Sequence, residues 1–120
     1  MNTILVVDDI KAELDLIRQY LIKAGYNVVT ANDGREALEK VIENKPDAIL
    51  TDWMMPNMGG LDLCRQLKKK PETADIPVVA CTAKNREVDK MWANRQGVKG
   101  YVVKPCTEED IITALQVAMS

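Results

Sequence analysis

The sequence predicts an α/β fold, a doubly wound sheet of five parallel strands in the order 2-1-3-4-5 with five helices spread over both faces. Three observations predict it. Short apolar runs and amphipathic segments alternate five times from end to end, so residues 1–120 are expected to form one domain. The runs Ile4–Val7 and Val78–Cys81 are apolar without polar alternation, the pattern of parallel strands covered on both faces. The chain is too short for a closed eight-fold barrel, and five strand–helix pairs suit the doubly wound order instead.

The elements follow in order. Ile4–Val7 is the first strand and ends at Asp8-Asp9. Ile10, Leu14, Ile17 and Leu21 recur at helical spacing, and the helix stops at Gly25. Asn27–Ala31 is a more polar strand, as an edge position allows. Asn32-Asp33-Gly34 turns into a helix with Ala37, Leu38, Val41 and Ile42 on one face, ending before Pro46. Ala48–Thr51 is a third strand that ends on Asp52. A loop with Pro56, Gly59 and Gly60 leads to a helix with Leu61, Cys64 and Leu67 facing the core. Pro71–Asp75 is predicted as loop.

Pro77–Cys81 is the fourth strand, with its proline where a missing ladder donor matters least, and it ends at Thr82. Val88, Met91, Trp92 and Arg95 mark the fourth helix, with Val88, Met91 and Trp92 predicted to pack into the core, and Gly97 closes it. Tyr101–Val103 is the fifth strand, ending at Lys104-Pro105. Thr107 and Asp110 stand at capping-box spacing before the last helix, whose sheet-facing residues are Ile111, Ile112, Leu115 and Met119.

Composition excludes several functions. A net charge of −2 gives no basic footprint for nucleic acid, and Lys68-Lys69-Lys70 suits the C-terminal end of a helix dipole. No apolar run is long enough for a membrane span, and no signal peptide is apparent, so a cytoplasmic location is expected. Cys64, Cys81 and Cys106 lack metal-site spacing, fit a reducing compartment and read as small buried hydrophobes. Histidine is absent, which excludes Ser-His or Cys-His hydrolysis and a phosphohistidine carrier role.

In an open parallel sheet the carboxyl ends of the strands share one edge, and the crevice opens where the winding reverses, between the first and third strands. That edge receives Asp8 and Asp9, Asp52, Thr82 and Lys104. Taken singly, each has an ordinary reading: a strand-end Asp or Thr as a helix cap, Lys104 as a surface charge. Together they crowd three carboxylates around one cation, and a hard divalent cation, Mg²⁺, answers the excess with oxygen ligands. No general base is present, but phosphoryl transfer depends mainly on positioning and charge neutralisation. A carboxylate can attack phosphorus to form an acyl phosphate, whose oxygens then find Mg²⁺, the Lys104 ammonium and the Thr82 hydroxyl. Movement of Thr82 toward the phosphate would supply a switch.

The motifs Leu5-Val-Val-Asp-Asp9, Asp52-Trp-Met-Met-Pro56 with Gly59-Gly60, Cys81-Thr-Ala83 and Gly100-Tyr-Val-Val-Lys-Pro105 resemble the receiver domain of bacterial response regulators. The resemblance covers essentially the whole chain and implies a flavodoxin/CheY-like, single-domain receiver. It implies Asp52 as phosphoacceptor and Asp8, Asp9, Asp52 and the Met54 backbone carbonyl as the Mg²⁺ ligands. It further implies Thr82 and Tyr101 as the switch pair, Lys104 as the phosphate-pairing lysine before a cis proline, and Met54 and Lys84 as positions that tune phosphoryl lifetime. Trp53 reads as loop packing beside the site.

Asp89-Lys-Met-Trp92 with Arg95-Gln-Gly97 is similar to the PilH type of regulator, linked to type IV pilus motility and taxis. The partners implied are a histidine kinase as phosphodonor and a motility-apparatus or other effector protein on the face made by the fourth helix, fifth strand and fifth helix. Three alternatives stay open. One is a phosphate sink without an output partner, and another is a binding module that keeps its acidic cluster unused. The last is a small Mg²⁺-dependent phosphohydrolase with an aspartyl nucleophile, against which stands Met54, where such enzymes carry a second acid.

Overall fold

The structure, a computed structural model, describes residues 2–53, 55, 58–83 and 87–120. Its strands are β1 (Thr3–Val7), β2 (Asn27–Ala31), β3 (Ala48–Asp52), β4 (Val78–Thr82) and β5 (Gly100–Val103). They pair in parallel in the order β2-β1-β3-β4-β5, the predicted topology. The helices are α1 (Lys11–Lys23), α2 (Gly34–Asn44), α3 (Gly60–Lys68), α4 (Pro71–Ala74), α5 (Glu87–Arg95) and α6 (Glu108–Met119). The predicted fourth and fifth helices are therefore α5 and α6.

Strand side chains alternate between two layers, as the two-residue pleat requires. Ile4, Val6, Leu50, Val79, Cys81 and Val102 face α1 and α6, where Leu14, Ile17, Leu21, Ile111 and Leu115 complete a buried cluster. Leu5, Val7, Ile49, Val78 and Ala80 face the other way, against Ala37 and Val41 of α2, Leu63, Cys64 and Leu67 of α3, and Ala93 of α5. All five residues of β3 and of β4 are buried, which is why their sequences show no polar alternation.

The helix ends follow their local chemistry. Gly25 and Gly97 adopt positive φ (96° and 85°), the left-handed conformation that ends α1 and α5. Asp33 caps α2 by accepting the Glu36 N–H at 2.9 Å. Thr107 and Asp110 form the reciprocal capping box at the start of α6, with bonds of 3.1 and 3.0 Å.

Three expectations are corrected. Residues 71–75 are not all loop, because Pro71 supplies a preset φ at the first helical position and Pro71–Ala74 closes a single turn, α4. The Thr73 hydroxyl ties that turn to α3 by donating to the Leu67 carbonyl at 2.6 Å. Val88, Met91 and Trp92 do not pack into the core: they are 47%, 55% and 54% exposed, and Ala93 is the buried residue of α5. The Val98 N–H returns to the Ala93 carbonyl at 3.2 Å, and Val98 is itself buried, so this side of α5 is held inward and the larger apolar side chains face out. At three further helices the core face is shifted: Ile10 at the start of α1 and Ile42 of α2 are exposed, and in α3 Leu63 is buried where Leu61 is only partly so.

Gly60 holds the turn from β3 into α3 close to the sheet. Its N–H donates to the Trp53 carbonyl at 3.2 Å, and a Cβ there would stand 2.6 Å from Trp53 Cε3 and 2.9 Å from the Asp52 carbonyl oxygen. Gly60→Ala is expected to lower stability by about 1–3 kcal/mol through overpacking against backbone, measured by urea unfolding.

Candidate functional site

The site is built by strand parity. Ile4 and Val6 of β1, Ala48 and Leu50 of β3, and Val102 of β5 face the α1/α6 layer. The same two-residue step carries Asp8, Asp52 and Lys104 to that side at the carboxyl edge. β1 and β3 are neighbours, in register from Ile4↔Ala48 to Val7↔Thr51, so Asp8 and Asp52 arrive side by side. The first turn of α1 then brings in Glu13.

These four residues form one charged group. Lys104 Nζ lies 3.0 Å from Asp8 Oδ2, 3.2 Å from Asp52 Oδ2 and 2.5 Å from Glu13 Oε2. Its side chain is 15% exposed, against 2% for Asp8, 9% for Asp52 and 38% for Glu13. The Ile10 N–H also donates to Asp8 Oδ1 at 2.9 Å. The Lys104–Pro105 peptide is cis, as the resemblance implies.

The electrostatics follow from burial against pairing. Burial pushes the Asp8 carboxyl up; the Ile10 N–H and the Lys104 ammonium pull it back, and it settles at about 6 against an ordinary 3.8. The Glu13 carboxyl is held below its ordinary value, chiefly by Lys104. Burial opposes the charge on Lys104, but its bonds to Glu13 and Asp8 and the charges of Asp52 and Asp8 outweigh this and raise its pKa. One ammonium thus faces three carboxylates.

The predicted residues divide into those gathered here and those placed elsewhere. Asp8, Asp52 and Lys104 come together as expected. Asp9 is exposed and stands outside the carboxylate group whose oxygens lie within 4.8 Å of one another, which holds Asp8, Glu13 and Asp52. Thr82 ends β4 and is buried; its carbonyl accepts the Lys104 N–H at 2.8 Å. Tyr101 is half-buried on the opposite layer from Lys104, paired in register with Ala80. Trp53 packs at the edge of that same layer. Met54 and Lys84 lie outside the described residues.

Glu13 is the residue that reading the strand ends overlooks. A signal was present: Glu13 stands one turn before Ile17 and two before Leu21, so it continues an inward helix stripe at the end nearest the strand termini. An acid at such a position faces the site rather than solvent.

The cysteines fit their reading as packing residues. Cys64 and Cys81 are buried and Cys106 is partly so, and all three are free thiols. Burial pushes the Cys64 thiol up to about 11 and raises Cys81 and Cys106 as well, so none is a ready thiolate.

The donor set at the edge consists of carboxylate oxygens with excess negative charge, which fits a hard divalent cation and does not fit a soft one. The cation would stand beside Asp52, the most central acid of the sheet. A doubly wound sheet with an acid at the end of its central strand, a second acid from the neighbouring strand and a lysine across from both is the arrangement of a receiver domain.

Comparison with known proteins agrees. The family described as "Response regulator receiver domain" matches residues 4–116. Protein PilH of Pseudomonas aeruginosa is 37% identical over 120 residues, covering all of this chain and 99% of that protein. The phosphate regulon transcriptional regulatory protein PhoB of the same organism is 35% identical over 118 residues, 98% of this chain but only 52% of PhoB. The chemotaxis protein CheY4 of Vibrio cholerae superposes with a TM-score of 0.93 at 31% identity, covering 98% of each chain. The chain belongs to the response regulator receiver domain family.

The Asp8 shift has a consequence for stability. Its folded pKa lies above the unfolded value, so its proton favours the fold fully below pH 3.8, and that contribution is lost as pH rises through about 6. With divalent cations chelated, wild type is expected to lose on the order of 2–3 kcal/mol relative to Asp8→Asn between pH 4 and pH 7, read by urea unfolding of both proteins.

Proposed function

We propose that this receiver takes a phosphoryl group from a partner histidine kinase onto Asp52 and changes its binding to an effector protein as a result. The observation that carries the proposal is the Asp52 carboxylate at the carboxyl end of the central strand, 3.2 Å from Lys104 and beside Asp8. In the transfer, an Asp52 carboxylate oxygen forms the new bond to phosphorus while the phosphorus–nitrogen bond to the kinase histidine breaks, leaving the electron pair on the imidazole. Lys104 reaches both Asp52 and Asp8, so its ammonium is placed to follow the charge onto a phosphoryl oxygen.

Mg²⁺, held by Asp8, Asp9, Asp52 and the Met54 carbonyl, would supply the remaining charge neutralisation. Thr82 and Tyr101 are proposed as the switch. Thr82 would move its hydroxyl to a phosphoryl oxygen, and Tyr101 would fill the space vacated on the α5 side of the sheet. Met54 and Lys84 are proposed to tune how long the phosphoryl group persists. The unit proposed to do this is residues 1–120, acting in the cytoplasm as a regulator and not as a turnover enzyme.

The α5–β5–α6 face is the proposed effector surface. The exposed Val88, Met91 and Trp92 on α5, with the Arg95 guanidinium 6.0 Å from the Trp92 ring centre, support it, since apolar side chains turned to solvent beside a charged rim suit a partner. The likeness to the PilH type of regulator supports a partner in type IV pilus motility or taxis.

Incubation with acetyl phosphate and Mg²⁺ is expected to add one labile phosphoryl group by intact mass, absent without Mg²⁺ and absent in Asp52→Ala. Release of many phosphates per protein from a small ester would overturn the receiver reading in favour of a hydrolase. Lys104→Ala is expected to accept the phosphoryl group yet fail to change partner binding. A Lys104→Ala protein whose pull-down of the partner still responds to phosphorylation would refute the proposed role of Lys104.

A further inference from the structure

Glu13 takes no part in the reading above, yet it is the nearest of the three carboxylates that hold Lys104. We infer that Glu13 is a positioning residue for Lys104: it keeps the ammonium on the α1 side of the site when a divalent cation takes Asp8 and Asp52. This rests on the reading of Asp8 and Asp52 as the cation's ligands.

The argument is one of charge and reach. Lys104 is only 15% exposed and has three anionic partners. A dication bound to Asp8 and Asp52 removes two of those partners and sets like charge within a few ångströms of the ammonium. With no third partner, the ammonium would have to swing out to water, and a phosphoryl group forming on Asp52 would then lack it. Glu13 provides the third partner. Its backbone belongs to α1, which Leu14, Ile17 and Leu21 clamp to the sheet, so the carboxylate stands at a set distance from the strand ends. Its side chain is the most exposed of the three, which leaves it poorly placed to join the cation in the buried corner and well placed to hold Lys104 from outside. Lys104 can then turn its other hydrogens from Asp52 to a phosphoryl oxygen without releasing Glu13, since an ammonium carries three donors.

The inference separates from two rivals by a double-mutant cycle. Glu13→Gln, Lys104→Ala and the double variant are compared by ¹H–¹⁵N amide spectra during Mg²⁺ titration, which report affinity and show that each variant is folded. Glu13→Gln is expected to weaken Mg²⁺ about five- to tenfold in the wild-type background and less than about twofold in the Lys104→Ala background, because the two residues act as one unit. Equal weakening in both backgrounds would make Glu13 a direct cation ligand and overturn the inference. No weakening in either would leave Glu13 a surface ion pair and overturn it too.

A kinetic readout adds to this. With acetyl phosphate, Glu13→Gln is expected to raise the half-saturating Mg²⁺ concentration by about the same five- to tenfold, an increase that shrinks below about twofold in the Lys104→Ala background. The titration needs no phosphorylation, so a wild type that shows the Mg²⁺ pattern but forms no adduct would sink the phosphoacceptor reading alone. An adduct in wild type with an unaltered Glu13→Gln titration would sink this inference alone.

Discussion

One partly buried ammonium set against three carboxylates is the interaction on which the rest of this structure depends. Lys104 stands at the carboxyl edge of the sheet with Asp8, Asp52 and Glu13 around it, each delivered by a different element. Carboxylates brought this close repel, and a folded chain tolerates them only if the charge is answered locally. Lys104 answers part of it, while burial, which pushes the Asp8 carboxyl up, adds to the cost of holding charge there. A site with residual negative charge and oxygen donors is prepared for a cation, and a cation beside an aspartate is what phosphoryl transfer needs.

The sheet keeps the chemistry and its proposed readout on opposite layers. Asp8, Asp52 and Lys104 continue the parity of residues that face α1 and α6, whereas Tyr101 stands with the layer covered by α2, α3 and α5. Between them runs the backbone: the Lys104 N–H donates to the carbonyl of Thr82, so the two strand ends that carry the lysine and the hydroxyl are tied at 2.8 Å. Thr82 is thereby tied to the strand end that carries Lys104, and it stands two residues beyond Ala80, the register partner of Tyr101. The outward-facing apolar side chains belong to α5, the helix whose Ala93 packs in the same layer as Tyr101.

Most of the fold was legible because parallel strands buried on both faces leave unbroken apolar runs, and Gly25 and Gly97 marked helix ends that the positive φ values bear out. The failures were local competitions that periodicity does not decide. In α5, apolar residues at Val88, Met91 and Trp92 suggested an inward face. The short reach from α5 into β5 instead turned Ala93 inward, because Val98 must enter the core immediately afterwards. Residues 71–75 read as loop in the sequence, but a proline at the first position of a turn costs no hydrogen bond, and Pro71–Ala74 forms α4. Glu13 does not follow from the strand ends, because it is a helix stripe that delivers it to the same edge.

By itself the sequence determined the order of elements, the parallel sheet, and the arrival of Asp8, Asp52, Thr82 and Lys104 at one edge. Those follow from period and succession, which are properties of the chain alone. Only the tertiary structure decided which of these side chains touch. It placed Glu13 on Lys104, left Asp9 exposed outside the carboxylate group, and turned Trp92 and Met91 to solvent. The reason is that contact depends on how helices are rotated and seated against the sheet, and that is set by packing between residues far apart in the chain, such as Leu14 and Ile17 with Leu50 and Ile111.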